Sequence, residues 1–139
     1  MKVIGFNFTK LLAEKLEGNR NQLKINAEID ISEIKSLKTD IFKVKEDLVE
    51  VKFKYTVEYD PKIAKIEFEG LIIFSLDQKL AKQVLKDWKK KKMPDDFRLI
   101  LFNVILRKST LKALELEDQL NIPLHISLPS LKRVPDKSS

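Results

Sequence analysis

His125 is the only histidine in this chain of 139 residues, and there is no cysteine. A lone imidazole between Leu124 and Ile126, with Pro123 and Pro129 close by, reads first as a hydrogen-bonded structural residue and only second as a general base or ligand. Without thiols there is no disulfide framework, no thiolate nucleophile and no cysteine-based metal site. Ser75, Ser109 and Ser127 lack the context of a nucleophile elbow, and Gly5, Gly18 and Gly70 stand too far apart to cradle a phosphate. Carboxylates are plentiful. Along residues 48–74, however, they alternate with apolar residues as solvent-facing partners of lysine do, so a general acid and base pair is the lesser reading. The residue types point away from an enzyme and call for no metal and no cofactor.

Charge is the other available chemistry. The formal net charge is +6, with 35% of residues charged, which favours weak attraction to anionic partners such as nucleic acid or acidic protein segments. Much of this excess reads as mixed Lys/Glu surface plus two local lysine clusters. Lys89, Lys90, Lys91 and Lys92 close a helix, where cations oppose the partial negative charge of its C-terminus. A phosphate-gripping role for them ranks second, because neither arginine nor aromatic residues interleave.

The elements that carry these groups follow from periodicity. Val49, Val51, Phe53, Tyr55, Val57 and Tyr59 alternate with Glu50, Lys52, Lys54, Thr56 and Glu58, the pattern of a half-buried strand over residues 48–59. Asp60 and Pro61 mark a turn. The next strand, residues 64–74, places Ala64, Ile66, Phe68, Gly70, Ile72 and Phe74 on one face. Its other face changes from Lys65, Glu67 and Glu69 to Leu71 and Ile73, so its end is expected to be covered on both sides. Upstream, residues 3–16 alternate around Ile4, Phe6 and Phe8, with a bulge expected near Leu11 and Leu12. Turn formers from Glu17 to Asn21 lead into a strand over residues 23–32, and a hairpin of the two explains both. Residues 33–47 read as a connection with apolar anchors, among them Phe42, which plugs the core edge or offers a sticky contact.

Ser75 or Asp77 can cap a helix whose stripe is Leu80, Ala81, Val84, Leu85 and Trp88. Pro94, Asp95 and Asp96 open a second helix. That helix is apolar nearly all round through Phe97, Leu99, Ile100, Leu101, Phe102, Val104, Ile105 and Leu106, a sign of burial against more than its own sheet. A break is expected near Ser109 and Thr110, after which Leu111 to Leu120 continue the period. Residues 121–129 are extended and proline-punctuated, and residues 132–139 read as a flexible polar tail. The expectation is one domain over residues 1–131, of α+β class. Residues 1–8 are too short and polar for a secretory signal and no apolar run reaches bilayer length, which gives the expectation of a cytoplasmic protein. The abundance of Lys, Glu and Ile is the composition of proteins from hot environments.

The order of elements, Phe8-Thr9-Lys10 in the first strand, the ending Gly70-Leu71-Ile72-Ile73-Phe74-Ser75, a helix, a proline and a long second helix resemble the SecB-type preprotein chaperones. Residues 121–129, Asn-Ile-Pro-Leu-His-Ile-Ser-Leu-Pro, look like the ending of their small archaeal relatives. The resemblance implies a four-stranded antiparallel sheet with two main helices on one face, and dimers or dimers of dimers. It also implies an ATP-independent holdase that receives unfolded or extended polypeptide in an apolar groove, serving protein transport or protecting an antitoxin. SecB-type proteins are usually acidic, whereas this chain is basic. Candidate polypeptide contacts, chosen because each exceeds the apolar needs of one sheet face, are Phe42, Leu71, Ile73, Ile122, Leu124 and Ile126. Two alternatives stand beside this reading: a basic nucleic-acid or ribonucleoprotein adaptor, and a structural subunit packing on an unrelated protein.

Overall fold

Four long strands precede two helices in the computed structural model, which describes residues 1–18, 22–37 and 47–131. Strand β1 spans Lys2–Lys15, β2 Lys24–Leu37, β3 Asp47–Asp60 and β4 Ala64–Leu76, while helix α1 spans Gln78–Trp88 and α2 Asp95–Leu120. The strands form one antiparallel sheet in the order β1-β4-β3-β2. The α+β class and the four-stranded antiparallel sheet are as the resemblance implies.

Alternation decides which face is buried. The odd-numbered residues Val49 to Tyr59 of β3 and Ile66, Phe68, Ile72 and Phe74 of β4 are all within the core, together with Ala81 and Val84 of α1 and Phe97, Leu101, Ile105 and Ala113 of α2. Both helices therefore pack on that one face. Each fully buried aliphatic or aromatic side chain contributes about 2 kcal/mol through removal from water. Aromatic rings extend the layer towards β1, where Phe6 lies 5.5 Å from Phe53 and Phe8 lies 5.5 Å from Phe68.

Pairing departs from the hairpin expected of β1 and β2. They occupy opposite edges of the sheet, β1 on β4 and β2 on β3. Alternation makes a strand but does not name its neighbour, and here the chain leaves β1 by passing over the β3–β4 turn. The Leu16 N–H donates to the Ile63 carbonyl at 2.7 Å. A Cβ on Gly18 would stand 2.0 Å from the Pro61 carbonyl oxygen, so only glycine allows this approach.

Bulges explain two further differences. In β1 the register shifts between Val3 and Gly5 and between Phe8 and Lys10, ahead of the Leu11 and Leu12 position expected. In β2 it shifts between Ile31 and Glu33, and the strand continues to Leu37 beyond the expected end at Ser32. One extra residue reverses the phase of alternation, so Ile31 and Ile34 face the same way although three positions apart. A strand with such a phase change looks like a loose connection in sequence. Phe42 and the tail at 132–139 lie outside the described residues.

Asp77, not Ser75, caps α1, its carboxylate accepting from the Leu80 N–H at 2.7 Å. Helix α2 runs unbroken through Ser109 and Thr110. Its buried residues, Phe97, Leu101, Ile105, Ser109, Ala113 and Glu117, recur at every fourth position. Ser109 is fully buried on that row, where its small side chain lets helix and sheet approach, so the polar pair reads as a break in sequence but packs as a contact.

Candidate functional site

Where the last turn of α2 meets β3, the closing segment is pinned by a buried polar cluster. Asn121 adopts the left-handed conformation that ends a helix, and the Ile122 N–H returns to the Glu117 carbonyl at 3.1 Å. Ile122 then enters the core. Glu117, fully buried, accepts from the His125 backbone N–H at 3.1 Å and from its ring Nδ1 at 2.9 Å. With Nδ1 carrying the proton, Nε2 accepts from the Tyr55 hydroxyl at 3.0 Å. Burial pushes the Tyr55 phenol up, against the opposing effect of a hydrogen bond with Thr110 and with the nearby Glu117 charge adding to the rise. This row of carboxylate, imidazole and phenol has the order of a proton relay, yet its side chains are almost fully covered. It is a clasp, in keeping with a structural histidine.

The face of the sheet away from the helices has two halves. At one end Glu67 receives Lys10 at 2.5 Å and Lys54 at 2.8 Å. The lysine hydrogen bonds, Lys10 first, hold its carboxyl down at about 2, and those bonds to Glu67 raise both ammonium groups. At the other end stand Leu71 and Ile73, both half-buried. Ile73 leans over Gly5, where an added Cβ would be in ordinary contact at 3.6 Å. Leu71 borders a depression of about 340 Å³ lined also by Thr9, Ser32, Lys52 and Glu69. Thr9 and Ser32 are the extra residues of the two edge-strand bulges that flank the Gly70–Phe53 rung, while the central β3–β4 pairing runs through it in unbroken register.

A different apolar surface opens on the helix side, beside β2. Ile29, Asp30 and Ile31 of β2, Trp88 at the end of α1, Lys91 and Met93 of the following turn, and Phe102 of α2 line a groove of about 410 Å³. Phe102 is shared with a second depression of about 360 Å³ bounded by Asp95, Arg98 and Leu99. Lys91 lies over the Trp88 ring at 4.5 Å and Arg98 over Phe102 at 5.6 Å, so cations rim an apolar floor. Leu99, Leu106 and Leu111 are 63%, 45% and 61% exposed, which leaves α2 with apolar surface that its own sheet does not cover.

The sequence candidates are thus not brought into one place. Leu71 and Ile73 lie on the outer face of the sheet, whereas Ile122, Leu124 and Ile126 follow α2 on the helix side, with Ile122 in the core, Leu124 half-buried and Ile126 exposed. Phe42 is outside the described residues. Ile29, Ile31, Met93 and Phe102 were not singled out. Their signal was the second apolar side of α2 opposite a strand with Ile25, Ile29 and Ile31 on one side.

Comparison with known proteins follows the architecture alone. No family model matches the chain, and no curated protein matches it by sequence. Among solved structures it is similar to a SecB-like chaperone of Mycobacterium tuberculosis in complex with a ChAD peptide from an antitoxin. The match covers 96% of this chain and 91% of that one, with a TM-score of 0.51 and 10% sequence identity. The fold is SecB-like. At this identity the likeness is one of backbone architecture, and function has to be argued from the surfaces described above. Among the described residues, no helix is long and apolar enough to cross a membrane, and no cluster of metal-ligating side chains occurs.

Proposed function

We propose that the protein is a cytoplasmic, ATP-independent holdase that binds unfolded or extended polypeptide. The observation that carries this reading is the groove floored by Ile29, Ile31, Met93 and Phe102, continued by the uncovered Leu99 of α2. An open groove with an apolar floor and charged walls, set between a sheet edge and a helix, accepts the side chains of an extended segment, while the neighbouring strand edge offers backbone groups to it. The SecB-like fold supports the reading, since the similar structure holds a peptide. Leu71, Ile73, Leu124 and Ile126 extend the apolar surface available to a long client. Ile122, seated in the core, serves the fold.

The same reading includes self-association into a dimer or dimer of dimers. Strand β1 is an edge strand whose Val3, Ile4 and Leu11 are exposed, and an apolar edge of that length calls for a partner in solution. Aggregation of a chemically denatured client, followed by light scattering with the protein in molar excess, tests the holdase. Aggregation is slowed without nucleotide on this reading, and an unchanged time course would contradict it.

A further inference from the structure

Charge is not spread over this fold. Residues 78–92, which are α1 and the turn after it, hold seven lysines and one aspartate, a net +6. The rest of the chain holds 20 basic and 20 acidic residues and is neutral. The whole excess charge of the protein therefore sits on one helix and its turn, not on mixed surfaces as composition alone suggests.

Helix energetics account for only part of it. Lys86 in the last turn and the lysines that follow face the negative end of the helix, which favours them. Lys79 stands in the first turn, where a cation is disfavoured and where no acidic residue is present. Lys79, Lys82 and Lys86 are exposed and fall on the side of α1 opposite the buried Ala81 and Val84, and the exposed Lys90 follows in the turn. They form a basic face that makes no ion pair among the described residues, and the single aspartate of this stretch, Asp87, is engaged with Gln83 at 2.6 Å.

This face adjoins the groove. Trp88 and Lys91 belong both to the end of the basic element and to the groove wall, and Met93 and Phe102 continue the apolar floor. The carboxylates beside it are Asp30 in the groove wall and Asp95 in the neighbouring depression, the latter accompanied by Arg98. We infer that the groove and α1 together bind acidic polypeptide segments, an apolar stretch seated against Phe102 and Met93 with flanking Asp and Glu residues along the α1 lysines. A nucleic acid would use the lysines but leave the apolar floor without a partner, and the one indole here is already covered by Lys91. The inference rests on the polypeptide-binding reading and adds the client class to it.

The test uses the full-length protein and three fluorescein-labelled peptides with one shared apolar core, flanked by acidic, serine or lysine residues. At low salt the acidic peptide is expected to bind about tenfold more tightly than the serine peptide, with the difference vanishing at high salt. Lys82→Glu with Lys86→Glu, both exposed, is expected to remove that preference, and Lys82→Gln with Lys86→Gln to reduce it. Equal affinity for the acidic and serine peptides would overturn the client class while leaving polypeptide binding in place. Failure of all three to bind would overturn both. Binding of a generic single-stranded RNA that is lost on charge reversal, without preference for the acidic peptide, would assign the face to nucleic acid and overturn the inference.

Discussion

Glu117 and His125, eight residues apart, close a ring in which one carboxylate takes both the backbone N–H and the imidazole N–H of the same histidine. The contact converts an exit from α2 into a defined path for the closing segment. It also uses the one histidine of the chain and a fully buried acid of its longest helix.

Removing one member of such a buried pair leaves the other without a partner. Glu117→Ala is expected to lower stability by about 3 kcal/mol, whereas Glu117→Gln, which keeps an acceptor for the histidine, costs about 1 to 2 kcal/mol. Urea denaturation of the two variants measures this. Equal stability of Glu117→Ala and the parent would show that the clasp is ornamental.

The two buried tyrosines of β3 make an internal comparison. The Tyr55 hydroxyl is bonded to His125, while the Tyr59 hydroxyl is buried with no partner among the described residues. Tyr55→Phe should cost about 1 to 2 kcal/mol and Tyr59→Phe should be neutral or stabilising. Thermal melts of both variants side by side give the answer, and the reverse ranking would refute the assignment of the clasp.

Gly70 is fixed by its neighbours. A Cβ there would come within 2.6 Å of the Phe53 ring and 2.8 Å of the Asn7 carbonyl oxygen. Backbone cannot yield as a flexible side chain can, so Gly70→Ala is expected to cost about 1 to 3 kcal/mol. Combining it with Phe53→Leu should recover part of the loss, and strict additivity in the double variant would argue against direct contact.

Acid should weaken the outer face of the sheet. The Glu67 carboxyl lies at about 2 in the fold against 4.5 ordinarily. A depressed acid contributes stability that is present above 4.5 and is lost as the pH falls towards 2. Lys10 and Lys54, raised in the fold, stay charged through that range. Glu67→Gln should therefore flatten the stability profile between those two pH values, and an unchanged acid limb would place the acid sensitivity elsewhere.

Much of this architecture was legible because alternation and helical period each reflect one buried face. The strands over residues 48–59 and 64–74, the helix with its cap at Ser75 or Asp77 and the helix opened by Asp95 and Asp96 follow from those patterns. What escaped was either a phase change or a long-range choice. Bulges at Thr9 and Ser32 shifted the alternation, and the partner of β1 depended on β4, which begins far downstream. Leu71 and Ile73 were legible as apolar excess because they break a polar face. Phe102 was hidden among the other apolar residues of α2, since only the docked helix reveals which of its sides meets the sheet.

Titration of a fluorescent unfolded peptide against the protein without nucleotide, followed by anisotropy, tests the central claim most directly. The parent is expected to bind with a dissociation constant in the micromolar range, roughly −8 kcal/mol, and Phe102→Asp, with its fold verified by circular dichroism, to bind at least about tenfold more weakly. No binding by the parent, or equal binding by a folded Phe102→Asp, would contradict the claim that this groove receives polypeptide.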